Sequence, residues 1–141
     1  EKEDAVAISL KFANQAVGSF LLSDRTPSPW TWEMALGESE KFPKTGMNAI
    51  RFLGTEGALE FPNLVLWRHA EGNGNWHHEI RPEVIDAPFI DAYVAQCAHL
   101  RAVTRGLETP IIDALTGSRS LDATLAAARA ATSGTRIKLS M

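Results

Sequence analysis

The chain has 141 residues, of which 45% are hydrophobic and 22% are charged, a composition typical of a globular domain with a real core. Its 14 basic and 17 acidic residues give a formal charge of −3. Because phosphate backbones are bound by clustered lysine and arginine, this weak acidity argues against a nucleic-acid partner. The apolar runs fall short of the ~20 residues that a membrane span needs. We therefore expect one domain over residues 1–141, with neither nucleic acid nor a membrane as its partner.

The chain contains a single cysteine, Cys97, and therefore cannot form an intrachain disulfide. This fits a reducing compartment, and we expect a cytoplasmic location. The chain opens with EKEDAVAI, without an initiating Met and without the pattern of a signal peptide. We expect that it was cut from a longer chain.

The first two thirds of the chain have the alternating pattern of β-strands. Apolar residues occupy every second position of the stretch 4–13, and residues 17–24 return as a second strand. After a loop with two prolines, alternation predicts a third strand over residues 30–36. Further short strands are predicted over residues 49–53, 58–61, 64–68 and 76–80.

Two glycines in FLGTEGALEF (52–61) could belong to a phosphate-binding loop or to a turn between strands. A phosphate loop has GxGxxG or GxxxxGK spacing and lies between a strand and a helix. Here the spacing is GxxG, and the residues that follow include Pro62 and show no helical period. We therefore predict a hairpin turn in which Gly54 and Gly57 supply positive φ angles.

The last third of the chain has the apolar spacing of helices, at i, i+3, i+4 and i+7. One helix is predicted over residues 87–106, with Asp86 as its N-cap candidate, Pro88 in its first turn and Gly106 at its end, and a second over residues 114–134. Residues 135–140 alternate again and are predicted to return to the sheet as a final strand. The apolar side chains expected to face inward are Ile90, Tyr93, Val94, Cys97, Leu100 and Val103 on the first helix, and Leu121, Leu125, Ala128 and Ala131 on the second.

This order of elements predicts an α+β fold with a mainly antiparallel sheet. The two C-terminal helices are expected to pack on one face of the sheet, which leaves the other face open. All four tryptophans fall in predicted strands, and we expect some of them to line a ligand site or a partner interface on the open face. They are Trp30, Trp32, Trp67 and Trp76.

Four stretches, in this order, resemble the C-terminal domain of the glucose–fructose oxidoreductase / inositol dehydrogenase / MocA (Gfo/Idh/MocA) family of NAD(P)-dependent oxidoreductases. They are DAVAISLKFANQAVGSF, FLGTEGALEF, DAYVAQCAHLRAVTRGLETP and LDATLAAARAATSGTRIKL. The most telling piece is the helix that runs into G-x-E-x-P, formed by Gly106, Glu108 and Pro110. The resemblance covers nearly the whole chain.

The resemblance implies a longer protein in which an N-terminal Rossmann domain binds NAD or NADP. In the family, a catalytic Lys lies in an E-K-P motif and a catalytic His or Asp in a D-x-x-x-H segment. This chain has no GxGxxG, no E-K-P and no D-x-x-x-H. We therefore assign it no catalytic and no cofactor-binding residue, and we expect it to be inactive alone and to bind no dinucleotide. The whole protein is expected to be a dehydrogenase for a sugar, a cyclic polyol or a related hydroxy compound.

The sheet domain of the family contributes substrate contacts and, through its open face, oligomerisation, so a homodimer or higher oligomer is expected. Our candidate substrate-binding residues are Arg25, Trp30, Trp32 and His77. An aromatic ring can stack on the apolar face of a sugar, while a guanidinium or an imidazole bonds to hydroxyl groups. The alternatives are core packing for the tryptophans and a solvated ring for His77.

Other classes of function remain open at this point. A sheet module without any nucleotide domain could bind a protein partner or a carbohydrate. A metal-dependent hydrolase would need a ligand cluster, but the adjacent His77 and His78 point to opposite faces of a strand, and we assign no metal site.

Overall fold

The computed structural model describes residues 4–70 and 74–139, and these ranges contain six strands and three helices. They are β1 (Ala5–Lys11), β2 (Val17–Ser23), α1 (Trp32–Leu36), β3 (Ile50–Leu53), β4 (Ala58–Phe61), β5 (Val65–His69), β6 (Ile80–Val84), α2 (Ala92–Thr104) and α3 (Ala114–Ser133). Both sheets are antiparallel, so the predicted α+β class is confirmed. The chain divides into two compact units, one formed by Thr26–Asp91 and the other by the segments before and after it.

The strand pair β1–β2 has the alternation that the sequence predicts. Val6 lies opposite Leu22 and Ile8 opposite Phe20, and the apolar positions of β1 are half-buried while the positions between them are exposed. The register runs without interruption past Gly18. A Cβ atom on Gly18 would lie 3.3 Å from the Phe20 ring, so this glycine makes room for a neighbouring aromatic side chain.

The four remaining strands form a separate meander in the order β3-β4-β5-β6, in which every neighbouring pair is antiparallel. β6 is an edge strand and contains Pro82, opposite Trp67. Proline has no backbone N–H to donate and is tolerated at an edge for that reason. The sequence predicted this last strand over residues 76–80, which is too early, since β6 begins at Ile80.

Residues 76–80 do not form the predicted strand: Trp76–His78 form a turn, and β6 begins at Ile80. The side chain of Asn75 accepts the His77 N–H at 2.9 Å, and the Asn75 N–H donates to His78 Nδ1 at 2.9 Å. Asparagine side chains compete for backbone partners in this way and favour turns over ladders. Consequently Trp76 lies in a turn, whereas Trp67 lies in β5 as predicted.

The predicted third strand over residues 30–36 is wrong, because Trp32–Leu36 is a helical turn. Gly37 ends it in the left-handed region, with a φ of 70°, and donates its N–H to Glu33 O. The Trp32 ring stacks on the Phe61 ring with centroids 5.3 Å apart, and Ala35 is 1% exposed. Seven residues are too few for periodicity to separate a strand from a helix, and the packing of Trp32 decides the outcome.

α3 and the C-termini of both helices agree with the sequence prediction, but α2 begins at Ala92, five residues after the predicted start, and the proposed N-cap Asp86 and first-turn Pro88 lie before it outside any helix. α2 closes with a Schellman motif, in which Gly106 has a φ of 71° and the Leu107 N–H donates to Ala102 O at 3.0 Å. α3 begins at the N-cap Asp113, whose carboxylate accepts the Thr116 N–H at 2.7 Å, and it ends at Gly134 with a φ of 65°.

The inward-facing residues of these helices were predicted incorrectly, with Val103 as the exception. Tyr93 is 81% exposed and Leu121 is 58% exposed, and Cys97 is exposed as well. Apart from Val103, the buried and half-buried residues of these helices are not the predicted ones. They are His99, Ala102 and Val103 on α2, and Ala123, Ala126, Ala127 and Ala130 on α3. Periodicity groups residues on one side of a helix, but it does not determine which side a neighbour covers.

The predicted final strand is not formed over residues 135–139, and residues 140 and 141 lie outside the described part of the chain. The Ser133 hydroxyl accepts the Thr135 N–H at 3.3 Å and bonds to the Thr135 hydroxyl at 2.9 Å. These local bonds occupy backbone and side-chain groups that a strand would use otherwise. Ile137 and Leu139 are half-buried.

The N-cap of α3 gives a pH-dependent contribution to stability. The hydrogen bond from Thr116 lowers the pKa of the Asp113 carboxyl below its usual value. Because the folded pKa is the lower one, Asp113 stabilises the fold above its unfolded pKa, and this contribution is lost as the pH falls through the folded pKa. We expect Asp113→Ala to lower the unfolding temperature at neutral pH by about 2–4 °C.

The control is Asp113→Asn, which keeps the capping oxygen without a titrating group. We expect it to unfold near the wild-type temperature at neutral pH and to lose part of the wild-type acid dependence, as followed by circular dichroism between about pH 2 and 7. Identical curves for the Ala and Asn variants at every pH would show that the cap contributes nothing.

Candidate functional site

An apolar face of the four-stranded sheet is the main candidate for a binding site. Residues that lie opposite each other in the ladder share a face, and one face, which we call the Phe52 face, carries Ile50, Phe52, Leu59, Phe61, Leu66 and Arg68, with the charged residues Arg81 and Glu83 of β6 at its β6 side. α1 covers one end of it through the contact of Trp32 with Phe61. The other end is open, and Phe52 is 55% exposed.

The open end of the Phe52 face forms a groove of about 500 Å³. Phe52, Leu59 and Leu66 provide its apolar lining, and Arg68 and the hairpin of residues 54–57 complete it. The hairpin contributes the Thr55 and Glu56 side chains. Histidine and cysteine are absent from the described lining, so Glu56 has no partner for nucleophilic or acid–base chemistry there. The groove is suited to binding an apolar surface.

The hairpin turn that the GxxG spacing predicts is present, since the Gly54 N–H donates to Gly57 O at 2.9 Å between β3 and β4. The predicted reason for its glycines is wrong, because the positive-φ glycines are Gly37, Gly46, Gly106 and Gly134. Gly57 is required by space instead: a Cβ atom there would lie 2.5 Å from the Trp67 carbonyl oxygen. A Cβ atom on Gly54 would meet Gly57 O at 3.4 Å, an ordinary contact.

Ion pairs surround this groove on the β5–β6 side. The Arg68 guanidinium pairs with the Glu83 carboxylate, and Arg81 pairs with Glu79 at 2.8 Å. The hydrogen bond that Arg81 donates to the Glu79 carboxylate raises the pKa of Arg81 above its usual value. All four side chains are more than half exposed, so these pairs contribute little to stability. They give the apolar groove a polar rim with balanced charge.

Three of the predicted substrate contacts lie in the same unit as this groove. Trp32 is half-exposed and packs on Phe61, while Trp30 is 59% exposed in the turn before α1. His77 lies in the turn just before β6. Because Phe61 and the start of β6 are at opposite ends of the ladder, the structure does not bring His77 together with Trp32.

Arg25 belongs to the other unit, where it follows β2. Its guanidinium pairs with the Asp4 carboxylate at 2.6 Å, and the Asp24 N–H donates to Asp4 O at 3.1 Å. The Arg25 side chain remains 77% exposed. A role for Arg25, Trp30, Trp32 and His77 in substrate binding stays a prediction.

A histidine pair that sequence reasoning did not single out lies at the β5–β6 turn. The rings of His69 and His78 meet edge to face with centroids 6.4 Å apart. His69 Nδ1 is buried and has no hydrogen-bond partner among the described residues, and Gly74 lies against its ring. The signal in the sequence was the alternation of β5, which places His69 on the same face of the sheet as Trp67, two positions before it. In the described ranges no group of three or more His, Cys, Asp or Glu residues could hold a metal ion.

His99 on α2 also has a structural role that the sequence did not reveal. Its Nδ1 atom lies 2.6 Å from Glu108 Oε2, and its Nε2 atom accepts the Ile111 N–H at 3.3 Å. The ring therefore connects α2 with the segment that carries the G-x-E-x-P pattern. The signal in the sequence is the proximity of the two residues alone, since Glu108 of the pattern follows His99 by nine positions across the end of α2.

Comparisons with protein-family models, with curated proteins and with solved structures found no match to this chain. Within residues 4–70 and 74–139, no helix has the length and apolar character that crossing a bilayer requires.

Proposed function

We propose that the chain is the substrate and oligomerisation domain of an NAD(P)-dependent oxidoreductase similar to the Gfo/Idh/MocA family. The substrate class is a sugar, a cyclic polyol or a related hydroxy compound. The observation that carries the proposal is the G-x-E-x-P segment, ordered by His99 and Gly106 between two helices that follow antiparallel strands. This order of elements supports the resemblance seen in the sequence.

In this proposal the reaction is a hydride transfer between the substrate carbinol carbon and nicotinamide. The cofactor and the acid–base lysine come from a Rossmann domain outside these 141 residues, because the chain has neither GxGxxG nor E-K-P. The exposure of Arg25, Trp30, Trp32 and His77 supports their assignment as substrate contacts, since each side chain is accessible to a ligand.

The Phe52 face is the proposed oligomerisation surface. Phe52 is more than half exposed beside Leu59 and Leu66, and the paired charges of the rim are balanced. Apolar patches with polar rims are typical of protein interfaces. A second copy of the same face is the occupant we propose.

The test of the oxidoreductase proposal is the complete product of the gene that encodes this chain. We expect it to bind NADH or NADPH, measured by nicotinamide fluorescence, and to reduce NAD⁺ or NADP⁺ in the presence of one member of a panel of sugars and cyclic polyols. The 141-residue chain alone serves as the inactive control. A complete product without dinucleotide binding would overturn the proposal.

A second candidate function is a non-catalytic sheet module that binds a protein partner or a carbohydrate. The groove on the Phe52 face favours it, because the described lining offers apolar contacts and a guanidinium but no catalytic pair. In this case the 141-residue chain alone binds its ligand, which isothermal titration against oligosaccharides would detect. The oxidoreductase proposal gives no binding in that experiment, since half of the substrate pocket lies in the other domain.

A further inference from the structure

The tautomer of His99 follows from its two bonding partners. The Ile111 N–H can only donate, so Nε2 must present a lone pair to it. The ring proton is then on Nδ1, where it is donated to the Glu108 carboxylate at 2.6 Å. Both nitrogens of the neutral ring are satisfied, and the side chain is 25% exposed.

Protonation of this ring has different effects on its two sides. An imidazolium carries an N–H on both nitrogens. The bond to Glu108 becomes charge-assisted and is strengthened. On the other side, the new Nε2–H points at the Ile111 N–H, and two donors cannot form a hydrogen bond. The ring must therefore release the Ile111 N–H when it takes up a proton.

We propose that His99 is a proton-sensitive latch on the connection between α2 and α3. In the neutral state it holds this connection, residues 105–112, at Glu108 and at Ile111. In the protonated state it keeps Glu108 and releases Ile111, which is adjacent to the residues that lead into the α3 N-cap Asp113. The G-x-E-x-P pattern then has a physical role: its glycine ends α2 and its glutamate positions the ring.

Two kinds of charged group bear on this latch. Glu108 contacts the ring directly and comes from the connection itself. On α2, Arg101 lies two positions after His99 and so projects from a different side of the helix. Arg105 follows the end of α2 in the Schellman turn. Asp113 caps α3 through Thr116 and keeps its charge at mildly acidic pH, since its pKa is lowered.

The test is NMR of the 141-residue chain with ¹⁵N-labelled histidine and backbone. We expect the neutral His99 ring to carry its proton on Nδ1. As the pH is lowered, the Ile111 amide shift should follow the titration of the His99 ring, and the exchange rate of that amide, corrected for its intrinsic pH dependence, should rise about fivefold as one hydrogen bond is lost. The ring of His77 provides an internal reference, whereas His78 Nδ1 accepts the Asn75 N–H and lies against His69.

Two variants separate the latch from a passive structural role. His99→Gln keeps an amide oxygen that can accept the Ile111 N–H and does not titrate, so the pH response of Ile111 should disappear. Glu108→Gln keeps an acceptor for Nδ1–H without charge, so the same response should remain. Circular dichroism confirms that each variant is folded. The proposal would be overturned by a neutral His99 ring that carries its proton on Nε2. It would also be overturned by an Ile111 amide shift that stays constant while the His99 ring takes up a proton.

Discussion

Gly57→Ala is expected to destabilise the four-stranded sheet by about 1–3 kcal/mol, the usual cost of forcing extra atoms into a closely packed place. The added Cβ atom would lie 2.5 Å from the Trp67 carbonyl oxygen. The obstacle is backbone, which cannot rotate away as a flexible side chain can. Either β4 or β5 must shift, and the pairing of Ala58 with Trp67 is the first to be strained.

Gly54→Ala is the matched control for this experiment, since both glycines belong to the same hairpin turn. Its Cβ atom would meet Gly57 O at 3.4 Å, and its φ is not in the left-handed region. We expect its free energy of unfolding in urea to stay within about 0.5 kcal/mol of the wild type. If the two variants are equally destabilised, the turn depends on glycine flexibility, and the contact with Trp67 is not the cause.

The comparison of these glycines shows what sequence reasoning predicts well. The spacing GxxG between two β-compatible runs was enough to predict a hairpin, because a phosphate loop needs a different spacing and a following helix. It was not enough to explain the glycines. The need for Gly57 comes from β5, which lies ten residues further on and approaches the turn only in the folded sheet.

The helices illustrate the same limit on a larger scale. Both C-termini and the start of α3 were predicted correctly, because Gly106, Asp113 and Gly134 act through bonds to residues only a few positions away. The start of α2 was predicted five residues too early. Their inward sides were predicted wrongly, because burial depends on which neighbour is present. An apolar stripe such as the one through Tyr93 and Leu100 identifies a side of the helix without identifying what covers it.

The candidate site was predictable only in part for a related reason. An open apolar sheet face was expected, and the Phe52 face is apolar and partly open. The tryptophans expected on it are mostly elsewhere in the unit, because Trp30 and Trp76 lie in turns and Trp32 begins α1. Short alternating runs with tryptophan satisfy the strand pattern and a helical turn equally well, so local sequence could not separate them.

Phe52→Arg is expected to weaken self-association of the chain by about 100-fold, as is typical for a hot-spot residue of an interface. The proposed occupant of the Phe52 face is a second copy of that face. In a two-fold dimer each substitution is present twice, so one variant places two unpaired guanidinium groups in an apolar contact. Sedimentation or light scattering across the micromolar range measures the dissociation constant.

The matched control for this variant is Leu21→Arg on β2. Leu21 is a large apolar residue that is 83% exposed, and it lies outside the four-stranded sheet. The same charge is therefore added outside the four-stranded sheet, and we expect the dissociation constant of the dimer to change less than threefold, within about 0.6 kcal/mol. Because Phe52 is on the edge strand β3 and more than half exposed, Phe52→Arg should leave the unfolding temperature of the monomer, measured below the dissociation constant, nearly unchanged. A wild-type chain that is monomeric throughout, or a control as disruptive as Phe52→Arg, would mean that this face does not pair with itself.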